Sequence, residues 1–150
     1  MYDAEEAKPP EQGVMALKYN TAQHQEYLRM TGRCGVAWLN VFGDDRDFWS
    51  AAYWDLFTNL WDSGGPVRKT DALKFMRAVK SAHTAGKYVE AAIHKGFLLE
   101  QDNPEDARSK LLTLSPEMRG RLDVYFDTAV SEIRRTSRAF DTLGPSPEDL

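Results

Sequence analysis

Four side chains of the kind from which reaction chemistry is usually built stand far apart: Cys34, His24, His83 and His94. No Cys/His spacing among them suits a zinc site. No glycine-rich loop is present to cradle a phosphate. Hydrolysis, redox chemistry and metal binding therefore find no constellation, and neither enzyme activity nor a cofactor is expected. Cys34 falls on an apolar helical stripe, where a lone cysteine reads as a small hydrophobe. What remains is charge. Between Arg68 and Lys95 the chain carries seven Lys/Arg (Arg68, Lys69, Lys74, Arg77, Lys80, Lys87, Lys95) against two acids (Asp71, Glu90), a local +5. The whole 150-residue chain is −4, so everything else sums to −9. That asymmetry suggests one basic face on an acidic body, although a solvated pair of charged helices has the same charge. A second cationic feature is the loop "QDNPEDARSK", which presents Arg108 and Lys110 between two apolar runs.

Those cations need elements to position them, and the pattern supplies them. A period of three and four (Tyr27, Met30, Cys34, Ala37, Trp38, Val41) predicts a helix over residues 21–42. Asp45 is a candidate cap for a helix over 46–62 with Trp49, Tyr53, Phe57, Leu60 and Trp61 on one stripe, ended at Gly64. Thr70 is a candidate cap for a short helix to about Val79, with Leu73, Met76 and Val79 inward. The next helix, from about His83 to Lys95, buries a narrow stripe of Ala85, Val89 and Ala92 and stops at Gly96. Two apolar runs, Phe97 to Leu99 and Leu111 to Leu114, flank the turn formers Asn103 and Pro104 and predict a β-hairpin. Ser115 and Pro116 open a last helix to about Phe140, striped by Met118, Leu122, Tyr125, Phe126, Ala129, Val130 and Ile133. The chain length suits one domain with a real core. Residues 1–20 read as an acidic tail without a signal peptide, and 141–150 as a polar tail. The longest apolar run, "CGVAWLNVF", is too short to span a bilayer. A single cysteine fits a reducing compartment, hence a cytoplasmic protein.

A helix pair followed by a two-stranded hairpin is the order of a winged helix. Three stretches carry a closer likeness. "SAHTAGKYVEAAIHKGFL" looks like the recognition helix of the MarR-type transcriptional regulators. "DNPEDARSKLLTLSP" resembles that family's wing, with Asn103, Pro104, Asp106, Arg108, Leu114 and Ser115 on the patterned positions. "SPEMRGRLDVYF" is similar to the start of its C-terminal dimerisation helix. The likeness covers residues 46–140, and 21–45 by position and helical character.

The resemblance implies a mainly α fold with a small β wing, a winged-helix lobe over 46–114 and dimerisation helices at 21–42 and 116–140. It implies a homodimer on pseudo-palindromic double-stranded DNA, with the exposed apolar stripe of the last helix in the dimer contact. His83, Thr84 and Lys87 would meet a base edge or a phosphate, with Gly86 allowing close backbone approach. Arg108 would enter the minor groove, and Asp106 would hold the wing loop. Arg68, Lys69, Lys80 and Lys110 would add charge toward phosphates. A small aromatic effector would sit among Trp38, Trp49, Tyr53 and Phe57, although core packing accounts for the same rings. Ala82 and Ala91 stand where family members often carry arginine. The rival reading is a winged helix serving as a protein-interaction module, favoured by the overall acidity.

Overall fold

The computed structural model describes residues 16–146 and Glu148. The elements run α1 (Thr21–Val41), a 3-10 turn (Arg46–Phe48), α2 (Ala51–Ser63), β1 (Val67–Arg68), α3 (Lys69–Leu73), α4 (Ala82–His94), β2 (Leu98–Asp102), β3 (Lys110–Leu114) and α5 (Pro116–Leu143). The mainly α architecture with a small antiparallel sheet is the expected class. Most of the predicted acidic tail, residues 1–15, lies outside the described residues, as do 147, 149 and 150. Among the described residues no helix is long and apolar enough to cross a membrane.

Local sequence explains most element boundaries. Asn20 caps α1 in a reciprocal box: its side-chain oxygen accepts from the Gln23 N–H, and Gln23 Oε1 accepts from the Asn20 N–H, both at 3.0 Å. Ser115 Oγ accepts from the Met118 N–H at 3.1 Å, with Pro116 at the first helical position of α5. Gly64 and Gly96 adopt φ +70° and +77°, a region that costs glycine little, and end α2 and the chain segment after α4.

Three expectations give way to tertiary contacts. The helix expected over 46–62 is a 3-10 turn followed by α2. Ser50, not Asp45, caps α2, accepting from the Tyr53 N–H at 3.4 Å. The Asp45 carboxylate is engaged elsewhere, paired with Lys95 at 3.0 Å. The helix expected from Thr70 to Val79 is only α3, with Thr70 inside it, and the chain then turns through residues 74–80. Asp55 of α2 accepts from the Arg77 backbone N–H at 3.3 Å, which takes that donor out of any helical ladder. Met76 is nonetheless buried, and Leu73 and Val79 half-buried, so the apolar pattern survives the loss of the helix. β1 was not expected. It adds an edge strand, giving the order β1-β3-β2, with Val67 opposite Leu112 and Arg68 opposite Leu111.

The core is ring-rich. Phe42, Phe48, Phe57 and Phe97 stack and tilt against one another at centroid distances of 4.9 to 6.4 Å. Such pairs add roughly 0.5–1.5 kcal/mol each beyond their area. Around them pack Leu56, Val89, Leu98, Leu112 and Leu122. α1 and α5 lie antiparallel, as their cross-links require. Gln23 Nε2 donates to Phe140 O (3.1 Å) and Pro145 O (3.0 Å), Arg33 Nε to Glu132 Oε2 (2.6 Å), and Arg121 Nη1 to Val41 O (3.1 Å). α5 thus continues three residues past Phe140, and Pro145, expected in a polar tail, is held against the start of α1.

Tyr53 ties α2 to α4: its hydroxyl donates to Tyr88 O at 2.9 Å. Burial, with lesser effects from Tyr88 and Asp47, pushes its pKa from 10.0 up to about 12. An acid whose folded pKa is raised stabilises fully below its unfolded pKa, and that contribution fades as pH climbs from 10 toward 12. Tyr53→Phe is expected to cost about 1 kcal/mol in urea unfolding at pH 7. It should also flatten the stability loss between pH 10 and 12 relative to the parent chain. An unchanged midpoint and an unchanged alkaline slope would contradict this role.

Candidate nucleic-acid interface

α4 presents two faces for a reason visible in its phase. Ala85, Val89 and Ala92 are buried, and the small alanines let the helix lie close to the core. The opposite stripe, His83, Lys87 and Glu90 at spacings of four and three, is therefore outward. Ser81 Oγ accepts from the Thr84 N–H at 3.4 Å and sets the first turn one residue earlier than expected, at Ala82. His83, Thr84 and Lys87 are all exposed, in or beside a shallow depression bordered by Ala82, Gly86 and Glu90. A Cβ on Gly86 would meet nothing within 4 Å, so the chain's own packing does not require glycine there. The open space lets another backbone approach closely.

The wing is a regular ladder. Leu98 pairs with Leu114 at its root and Asp102 with Lys110 at its outer end. The connecting loop is held by two Asx-type bonds. Asn103 Oδ1 accepts from the Glu105 N–H, and Asp106 Oδ1 from the Arg108 N–H, both at 3.0 Å. Asn103 Nδ2 donates to Ser109 Oγ at 2.8 Å across the loop neck. Asp106 shapes the loop through a backbone donor. The Arg108 backbone is thereby fixed while its side chain is exposed and has no ion pair among the described residues.

The eight cationic or polar candidates divide. Lys80, His83, Lys87 and Arg108 are exposed and have no ion pair among the described residues, and Thr84 lies beside them. Arg68 pairs with Asp71 at 3.0 Å, and Lys110 with Asp102. Both are exposed, solvent-screened pairs, weak enough for a phosphate to displace. Asp102 holds the Lys110 ammonium above its usual pKa, and Lys110 holds the Asp102 carboxyl below its own. Lys69 differs, for its ammonium donates to both Glu90 and Glu100 and is only 26% exposed. Of the cations expected at phosphates, Lys69 is the one already held by two acids on two other elements. Lys74, another cation of the +5 segment, is exposed beside Lys80 in a depression lined by Thr70, Val79 and Ser81.

Three of the four rings expected around an effector belong to the core. Trp38, Tyr53 and Phe57 are buried, packed ring on ring, and Trp49 lies outside α2 with Arg46 over its face at 5.7 Å. A cavity of about 400 Å3 lies elsewhere, between the start of α1 and the end of α5, lined by Tyr19, His24, Tyr27, Ser137 and Phe140. Segments more than a hundred residues apart build it, which no local pattern reveals.

No family model and no curated protein matches the sequence. Solved structures do match. A putative MarR-like transcription regulator from Bacillus cereus superposes with a TM-score of 0.52 at 14% identity, covering 84% of this chain and 81% of that one. AbsC, a MarR family transcriptional regulator from Streptomyces coelicolor, gives 0.52 at 17% identity, covering 85% and 79%. A mutant MarR from E. coli complexed with operator DNA gives 0.52 at 12% identity, covering 84% and 81%. At these identities the likeness is one of architecture, and it places the chain in the winged-helix fold that MarR-type regulators use.

Proposed function

We propose that this chain is a DNA-binding transcriptional regulator of the MarR type, with α4 in the major groove and Arg108 at the minor groove. The observation that carries the reading is the exposed set Lys80, His83, Lys87 and Arg108, none of it neutralised by an acid among the described residues. His83 and Lys87 lie on α4 and Arg108 on the wing loop, the two elements that a winged helix turns toward a duplex, and Lys80 stands just before α4. The shared fold with a MarR protein complexed with operator DNA supports the same reading.

The binding form is a homodimer on pseudo-palindromic DNA. The expected apolar stripe of α5 splits: Leu122 (0% exposed) and Tyr125 (8%) are consumed in the protomer's own core. Val130 and Ile133, at 56% and 55%, remain outward on α5, with Tyr27, Leu28 and Val36 outward on α1. Such residues on the two longest helices suit a second copy. The two α4 helices would then stand roughly 34 Å apart, one duplex turn. Light scattering at micromolar concentration should return twice the chain mass, and a monomer would overturn this part.

The rival, an interaction module, draws support from Arg68, Lys69 and Lys110 being paired with acids. Anisotropy titrations of duplexes selected from genomic fragments separate the two. Arg108→Ala should weaken binding, lower the salt slope by about one unit per protomer and flatten any preference for A·T flanks. Lys87→Ala should weaken binding while leaving the flank preference intact. Unaltered affinity and slope in both variants would favour the module.

A further inference from the structure

We infer that Lys69 is a positioning residue: it braces the wing against α4, and so fixes where the wing tip stands relative to the recognition helix. The inference rests on the DNA-binding reading only for its consequence, since the brace itself is a property of the free protein.

Lys69 is well placed for this. It opens α3 directly after β1, whose Arg68 is in register with Leu111 of the central strand β3, so its backbone is fixed to the sheet. Its ammonium donates to Glu90 Oε1 on α4 and to Glu100 Oε2 on β2, both at 2.5 Å. One side chain thus joins α3 to α4, which carries His83, Thr84 and Lys87, and to β2, the strand that leads into the loop of Arg108. Burial pulls the Lys69 pKa down, but hydrogen bonds and charge from Glu100 and Glu90 outweigh it and leave the pKa raised. The group stays charged throughout the neutral range.

The pairing also resolves a conflict on the recognition face. Glu90 follows Lys87 by three residues on the outer stripe and shares its depression with His83 and Lys87. A lone carboxylate there would repel a phosphate backbone. Lys69 neutralises it from behind. Glu100 is the middle rung of the ladder, opposite Leu112 and two residues short of its outer end at Asp102, so the link grips the wing halfway to the loop that carries Arg108. A strand advances about 3.3 Å per residue, and a small displacement at Glu100 is carried to the tip.

The full-length protein is tested in two arms. In the free protein, Lys69→Met should speed amide exchange in β2 and β3 and leave α1 and α5 unchanged, while Lys69→Arg should restore protection. On duplexes with A·T or G·C flanks, Lys69→Met should bring the flank preference down to about one without lowering the salt slope. Adding Arg108→Ala to it should remove no further preference. Should Lys69→Met fail to fold, Glu100→Ala leaves the lysine in place and cuts only the wing link. It should lose the flank preference in the same way, with no fall in slope. A salt slope reduced by about one unit with the flank preference retained would make Lys69 a phosphate contact and overturn the brace. Unchanged wing exchange would also overturn it. Faster wing exchange in a protein that binds no duplex would leave the brace standing and sink the DNA reading alone.

Discussion

The structure depends on how closely α4 can lie against the core. Ala85 and Ala92 flank Val89 on its buried stripe, and all three are almost fully covered. With larger residues the helix would stand off, and the outer stripe would move with it. Small residues alone would leave little attraction, so the opposing surface supplies it with bulk. Leu98 of β2 belongs to the same buried cluster, and Tyr53 of α2 meets Tyr88 edge-on and adds a hydrogen bond to the α4 backbone. Placing the exposed cations is thus mainly a packing problem, solved from behind.

The C-terminal half of α4 is held electrostatically. Lys95 at its C-cap pairs with Asp45 at the end of the α1 loop, and Glu90 is taken by Lys69. Exposed pairs contribute little free energy, about 0–1 kcal/mol each, so they matter as constraints on position more than on stability. The α1–α5 pair follows the same division. Val41, Trp38, Leu122 and Tyr125 give it an apolar end, where α1 finishes and α5 begins. Arg33 bridges to Glu132 in its middle, and Arg33 above all, with Arg135, holds the Glu132 carboxyl below the usual range. Gln23 fastens its end.

Much of this was legible in the residues. Ser115-Pro116, Gly96 and the Ala85–Val89–Ala92 stripe act within one helical turn of themselves, so their meaning survives without tertiary information. The exposure of His83, Thr84 and Lys87 follows from the same helical phase. What was illegible is non-local. Asp45 is a good cap in isolation, yet its carboxylate goes to a lysine fifty residues on. β1 has two residues, too few to show a period, and exists because β3 offers an edge. Lys69 reads as one more cation until acids 21 and 31 residues away are folded onto it. Trp38, Tyr53 and Phe57 could line a cavity or fill a core, and only packing decides between them.

The central claim is that α4 and the wing tip form one duplex-binding surface. Non-specific attraction is electrostatic, so a short duplex at low ionic strength suffices to test it without knowing the operator. Backbone amide shifts of the labelled protein, followed while the duplex is added, report the surface directly. The account predicts salt-sensitive changes clustered at residues 81–87 and 103–109, with the outer faces of α1 and α5 silent. Changes confined to α1 and α5, or no change near residues 81–87, would contradict it.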